Sequence, residues 1–184
     1  MCGIIGYKGR GEALPILLQG LQRLEYRGYD SAGLAVHGKE LLVRKVKGRV
    51  TDLQAITTEV RGSTGIAHTR WATHGKPNST NAHPHTDKKG SIAVVHNGII
   101  ENHHALRSWL RDKGYFFTSE TDTEVLAHLI KHYHSGNLLE AVQKAITKIE
   151  GAFGLAIVDE QGTMVATRRG SPLCVGYENG ESFV

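Results

Sequence analysis

The sequence predicts an α+β fold built on antiparallel sheets, and three observations carry that expectation. Strand-like runs follow one another without a helix between them, as at Ser31–Val36 and Leu41–Val46, and strands joined by a few residues pair antiparallel. Ile92–Val95 and Leu155–Val158 are apolar without alternation, so both faces of each strand must be covered. Runs at helical spacing occur before and after these strands, which supplies the cover. Sheets packed face to face with helices outside satisfy all three. A mostly parallel, doubly wound sheet is the alternative, and the hairpins count against it.

In chain order, Cys2–Tyr7 is a short run rich in Ile and Gly and reads as a buried strand. Glu12–Leu24 places Leu14, Leu17, Leu18, Leu21 and Leu24 on one helical face, with Pro15 in the first turn where a missing N–H costs nothing. Arg27-Gly28-Tyr29-Asp30 is a turn, and Ser31–Val36 with Leu41–Val46 is a hairpin through His37–Glu40. Val50–Val60 reads as a short helix and Gly65–Thr69 as a strand, followed by a long polar loop, Arg70–Gly90. Ile92–His96 is a strand that ends in His96-Asn97-Gly98, and Asn102–Lys113 is a helix. Thr121 with Glu124 has capping-box spacing and opens a helix to about Ser135. Leu138–Ile149 is a further helix, Phe153–Val158 and Thr163–Thr167 form a hairpin, and Leu173–Tyr177 and Ser182–Val184 are short strands.

The 184 residues suit a single domain, residues 1–184, large enough to bury a full core without staples. The net charge of +4 comes from scattered basic residues, a solvated surface and not a nucleic-acid stripe. Two cysteines, Cys2 and Cys174, make no disulfide framework and point to a reducing, cytoplasmic setting. No apolar run approaches the roughly 18 residues of a membrane helix, and the N-terminus lacks the pattern of a signal peptide.

Four places carry candidate chemistry. Cys2 follows the initiator methionine, so removal of Met1 would make it the N-terminus. One residue would then hold both a thiol and an α-amine, groups with ordinary pKa values of about 8.5 and about 7.7–8.0, and the amine can serve as the base that activates the sulfur. Taken alone, such a cysteine reads as a small buried residue opening a strand. In His68–Gly75, Arg70 offers a planar fork for a carboxylate, Thr73 and His74 offer hydrogen bonds and Trp71 an apolar lid. Asn97-Gly98 on its own is a turn signal, yet a side-chain amide beside a glycine N–H is also the donor pair of an oxyanion hole. Asp122, in the first turn of a helix, either complements the helix dipole or meets a substrate ammonium. The 11 histidines include His83-Pro84-His85 and His128-x-x-x-His132, but the further ligands of a zinc site are missing at motif spacing, so no metal is expected.

These stretches stand in one order: Cys2-Gly3-Ile4-Ile5-Gly6, Leu24–Gly33, Ile66–Gly75, Asn81-Ala82-His83-Pro84-His85, His96–Asn102 and Ser119–Glu124. In that order the chain resembles the glutaminase domain of the glutamine–fructose-6-phosphate aminotransferase (isomerizing) family, bacterial type, a class II glutamine amidotransferase. The resemblance is loosest at Gly38–Gly62, His132–Glu150 and the last dozen residues. It implies an N-terminal-nucleophile hydrolase fold, a four-layer αββα sandwich with two antiparallel sheets. It implies that Cys2, freed of Met1, attacks the side-chain amide of L-glutamine, with Asn97 and Gly98 holding the oxyanion. It further implies that Arg70 and Asp122 bind the α-carboxylate and α-ammonium. Trp71, Thr73 and His74 belong to the loop that closes on glutamine, His83 lines the pocket, and Arg27 supports the nucleophile's surroundings. No cofactor, nucleic acid or membrane is implied. The family's complete enzymes are homo-oligomers that continue into sugar-isomerase domains binding fructose 6-phosphate, domains this sequence lacks. A phosphoribosylpyrophosphate-type amidotransferase, or a silent regulatory module with an unused pocket, is the competing expectation.

Overall fold

The computed structural model describes residues 2–71 and 75–184. Strand β1, Gly3–Lys8, is followed by helix α1, Ala13–Leu24, and a 3₁₀ turn, Glu25–Arg27. The hairpin is β2, Ser31–His37, and β3, Leu41–Lys47; helix α2, Val50–Ala55, and strand β4, Thr64–Arg70, follow. Strand β5 is His85–Thr86 and β6 is Ile92–Gly98. Helices α3, His103–Asp112, α4, Glu124–Tyr133, and α5, Leu138–Ile146, come next in the chain. Strands β7, Phe153–Asp159, β8, Met164–Arg169, β9, Gly176–Glu178, and β10, Glu181–Phe183, complete it.

Among the described residues the strands form two sheets, ordered β3-β2-β4-β1-β10-β9 and β5-β6-β7-β8. Every neighbouring pair within them is antiparallel. The continuous apolar strands divide by alternation, since successive side chains point to opposite faces. Ala93 and Val95 of β6, with Ala156 and Val158 of β7, meet Ile4, Ala35 and Ile66 of the other sheet. Ile92 and Val94, with Leu155 and Ile157, turn outward against Leu110 of α3 and the apolar faces of α4 and α5. On the other side α1 sets Leu17, Leu18 and Leu21 against Tyr7, Leu34 and Ala67. Three apolar layers therefore separate helices, sheet, sheet and helices, the αββα order expected of the chain.

Several boundaries differ from the sequence reading, each for a physical reason. Helix α2 stops at Ala55, where Thr57 turns its hydroxyl onto the carbonyls of Leu53 and Gln54 at 3.0 and 3.1 Å and competes with the helix ladder. The long polar loop contains β5, whose two residues pair with Val94 and Ala93. Helix α4 has no Thr121 cap. Glu124 instead accepts from the N–H and hydroxyl of both Thr118 and Ser119 at 2.7–3.0 Å, folding the preceding loop back on the helix start. Asp122 thus precedes the helix and does not lie in its first turn. Asn97-Gly98 is no turn: β6 runs through both residues, which pair with Gly154 and Phe153.

One close approach fixes the polar loop to the first sheet. A Cβ on Gly33 of β2 would lie 2.1 Å from the His83 carbonyl oxygen, so only glycine lets that backbone seat there. Gly33→Ala is expected to lower stability by about 1–3 kcal/mol, the usual range for forced overpacking, as read from urea unfolding.

Candidate active site

The site lies where the two sheets open at one end. The register of β1 with β4, Gly3↔Thr69 and Ile4↔His68, continued by one residue sets Cys2 beside Arg70. β6 of the facing sheet ends at Asn97 and Gly98. A cavity of about 530 Å³ opens between them and is lined by Cys2, Arg70, Trp71, Asn97, Gly98 and Asp122, together with Arg27 and His83. The two loop residues Thr73 and His74 lie outside the described residues. Every other site residue anticipated from the sequence reaches this one cavity.

Cys2 is half-buried, and its sulfur accepts the Trp71 backbone N–H at 3.2 Å. Its carbonyl oxygen accepts from Asn97 Nδ2, also at 3.2 Å. The amide edge of Asn97 therefore faces the cysteine across the gap between sheets. Gly98 has φ of +131°, and a Cβ there would stand 2.1 Å from the Ala152 carbonyl oxygen, so no other residue fits without displacing that backbone.

The charged poles are built in different ways. Arg70 is 4% exposed and donates to the Gly75 carbonyl at 3.3 Å. Burial lowers its pKa, while Cys2, Asp30 and Asp122 act to raise it. Asp122 is also buried; its Oδ2 accepts the Ile100 N–H at 2.9 Å and stands 4.0 Å from His96 Nδ1. His96 in turn shares a 2.9 Å hydrogen bond with Thr123. The carboxylate is held by backbone and ring and stays on the cavity wall. Trp71 is 44% exposed and packs edge-on against Tyr29, with ring centroids 5.4 Å apart, so it forms a rim. Arg27 enters from the 3₁₀ turn after α1.

In and behind the cavity wall stand buried imidazoles. His83 accepts the His96 backbone N–H on Nδ1 at 3.3 Å, and its ring stacks on His68 at 4.2 Å. His85 meets Thr121 Oγ1 at 3.0 Å. Burial drives the His68 pKa down to about 3, and it pushes His83 and His85 well below the ordinary imidazole value. His128 and His132, spaced like ligands in the sequence, part company: His128 faces Glu124 at 3.8 Å, and His132 packs on Trp109 and Tyr115. Among the described residues no group of three or more His, Cys, Asp or Glu side chains gathers at metal-binding distance.

The sequence reading missed three contributors. The Trp71 N–H serves the sulfur through the backbone, which no side-chain motif encodes. Thr123 and His96 brace Asp122, and only the fold brings their elements together. Ser171–Cys174 and Val184 close the apolar side of the cavity, from a stretch with no motif.

Residues 68–184 match the family described as "Glutamine amidotransferase domain". Over its full length the chain is 54% identical to a glutamine–fructose-6-phosphate aminotransferase (isomerizing) of Clostridium tetani, covering 31% of that protein. It is likewise 54% identical to one from Aquifex aeolicus, covering 32% of it, and 53% identical to one from Shewanella oneidensis, covering 31%. The chain thus spans about a third of the length of these relatives. A solved structure of glutamine phosphoribosylpyrophosphate amidotransferase from B. subtilis, with ADP and GMP, superposes with a TM-score of 0.86. It shares 30% identity, over all of this chain and 41% of that one.

The buried imidazoles make stability depend on pH. In the folded protein His68, His83 and His85 stay neutral where unfolded histidine, near pH 6.5, takes up a proton. Unfolding therefore binds protons below that point, and stability falls as pH is lowered. Thermal melts are expected to show a midpoint that declines from about pH 7 to about pH 5, with proton uptake on unfolding approaching about three per molecule.

Proposed function

The chain belongs to the glutamine amidotransferase domain family, and from that membership we propose that it hydrolyses the side-chain amide of L-glutamine to glutamate and ammonia, with Cys2 as the nucleophile. The observation that carries the reading is the meeting of Cys2 with the Asn97 amide across the sheets, at the mouth of a cavity that also holds one buried cation and one buried anion. Free glutamine is a zwitterion, so its head needs one group of each sign. Arg70 takes the α-carboxylate as a planar fork and Asp122 takes the α-ammonium.

The reaction runs in two halves. The Cys2 thiol passes its proton to the Cys2 α-amine, and the sulfur attacks the glutamine Cδ. The carbonyl oxygen becomes an oxyanion that receives hydrogen bonds from Asn97 Nδ2 and the Gly98 N–H. The Cys2 α-ammonium returns its proton to the amide nitrogen as the C–N bond breaks, and ammonia leaves a γ-glutamyl thioester. Water, deprotonated by the same amine, adds to the thioester carbon; the sulfur is expelled and takes that proton back from the amine, releasing glutamate and restoring the thiol. Trp71 narrows the mouth. His83 forms part of the wall and Arg27 supports the nucleophile's end of the cavity.

The sequence relatives, at 54% identity against 30% for the phosphoribosylpyrophosphate enzyme, favour a role in amino-sugar synthesis. In a full-length enzyme of that kind the ammonia would convert fructose 6-phosphate to glucosamine 6-phosphate on sugar-isomerase domains. The chain by itself, one domain over residues 1–184, would release ammonia to solvent. No helix among the described residues is long and apolar enough to cross a membrane; a cytoplasmic place of work is part of the proposal and rests on the metabolic relatives.

Glutamate release from glutamine tests the reading. Cys2→Ala is expected to abolish turnover. Asn97→Ala is expected to keep KM within a few-fold while kcat drops by about 10²–10³, the usual loss for one oxyanion donor. Release undiminished in Cys2→Ala would refute Cys2 as the nucleophile, and no release by the parent protein would leave only the silent-module reading. The α-amine exists only once Met1 is gone, so intact mass of the active protein is expected to be lighter than the encoded chain by one methionine. Full activity of a chain still bearing Met1 would refute the N-terminal base.

A further inference from the structure

His68 stands in none of the roles above. It sits on β4, opposite Ile4 and Gly33, on the same face as Ile66, and its ring crosses the layer between the sheets. It is fully buried. Its Nε2 lies 2.9 Å from Asn97 Oδ1 and 3.1 Å from the His96 carbonyl oxygen. Among the described residues its Nδ1 has no hydrogen-bond partner.

We infer that His68 is a positioning residue for the oxyanion hole: its Nε2–H fixes the rotation of the Asn97 amide so that Nδ2 points at the nucleophile. The inference rests on the glutaminase reading for its consequence but on geometry for its content. The His96 carbonyl can only accept, so the nitrogen beside it must carry a hydrogen. That hydrogen also points at the Asn97 amide, whose nearer atom must then be the oxygen. With Oδ1 committed to His68, the two amide hydrogens lie on the side of Cys2. The opposite rotation would set two donors against each other at His68 and two oxygens against each other at Cys2. The backbone of residue 96 thereby dictates, through one ring, which face of the neighbouring side chain meets the substrate.

Two further features suit the role. Burial holds the His68 pKa down at about 3, so the ring stays neutral and a single tautomer persists at working pH. A hydrogen bond accepted at Oδ1 also polarises the amide, which strengthens the donor at Nδ2. His83, stacked at 4.2 Å, keeps the ring plane from turning.

The test combines kinetics with a readout that needs no turnover. His68→Leu removes the donor at similar bulk, whereas His68→Gln returns an N–H to the place of Nε2. His68→Leu is expected to lower kcat for glutamine by about 10–100-fold with KM within about twofold, below the limit set by full loss of the donor. His68→Gln is expected to recover to within about threefold of the parent. In an Asn97→Ala background, adding His68→Leu is expected to change kcat by less than about twofold, because the group it orients is gone. A parental kcat in His68→Leu, or an equal loss on top of Asn97→Ala, would overturn the inference. If His68→Leu does not fold, a folded His68→Gln protein decides: near-parental kcat supports the role and a more than tenfold loss at unchanged KM rejects it. Independently, ¹⁵N spectra of the ligand-free protein near pH 7 are expected to show the His68 ring protonated at Nε2 and bare at Nδ1. The opposite tautomer, or a doubly protonated ring, would refute it whatever the activity, and turnover by the parent protein tests the glutaminase reading separately.

Discussion

The pairing of β1 with β4 brings the start of the chain against a strand far along it, from Gly3↔Thr69 to Lys8↔Thr64. Everything chemical depends on that register. It sets Cys2 beside Arg70 and Trp71, so that the sulfur meets a backbone N–H and the cation stands within reach of the same cavity. A slip by one residue would turn Ile4 away from the inter-sheet layer and Tyr7 into it, because side chains alternate between faces. The apolar layers on both sides of the sheet make such a slip costly, and the position of Cys2, the proposed nucleophile, is held by the core behind it. β10 closes the other side of β1, with Val184 and Gly6 exchanging backbone hydrogen bonds at 2.9 Å.

The second sheet supplies what the first cannot. β6 presents Asn97 and Gly98 at its end, and its pairing with β7 through Asn97↔Gly154 and Gly98↔Phe153 stiffens them. The donor pair proposed here is carried on a strand and so is set before substrate arrives, and preorganised donors avoid reorganisation during reaction. At the site end, polar bridges between the sheets run from Asn97 to the Cys2 carbonyl and from His68 to Asn97 and the His96 carbonyl. Leaving such groups unpaired in an apolar layer would be costly, so the same bonds that serve the site align the sheets. Buried neutral histidines suit this place, offering a donor and an acceptor without the charge that burial penalises.

Much of the fold could be read from the chain. Continuous apolar runs announced strands covered on both faces, and Ile92–Val95 and Leu155–Val158 divide between two cores in the way alternation requires. The α1 face and the β2–β3 hairpin followed from spacing. The failures were local signals overruled from a distance. Asn97-Gly98 looks like a turn, but seven consecutive pairs with β7 hold it extended. Thr121 looks like a cap, but His85 and Ser119 engage its hydroxyl, while Glu124 turns to Thr118 and Ser119. The two-residue β5 has no periodicity to detect and exists because β6 offers an edge.

By itself the sequence determined the residue types of the site, their order and the layered architecture, because hydrophobic period and short-range turn chemistry act over a few residues. The tertiary structure decided which of those residues meet and which atoms face one another. Cys2 and Asn97 are 95 positions apart, and no local rule couples them. The orientation of the Asn97 amide, the neutrality of His68 and the bracing of Asp122 by Ile100, His96 and Thr123 arise from burial and strand register. Those are long-range constraints, set only when the two sheets close on each other.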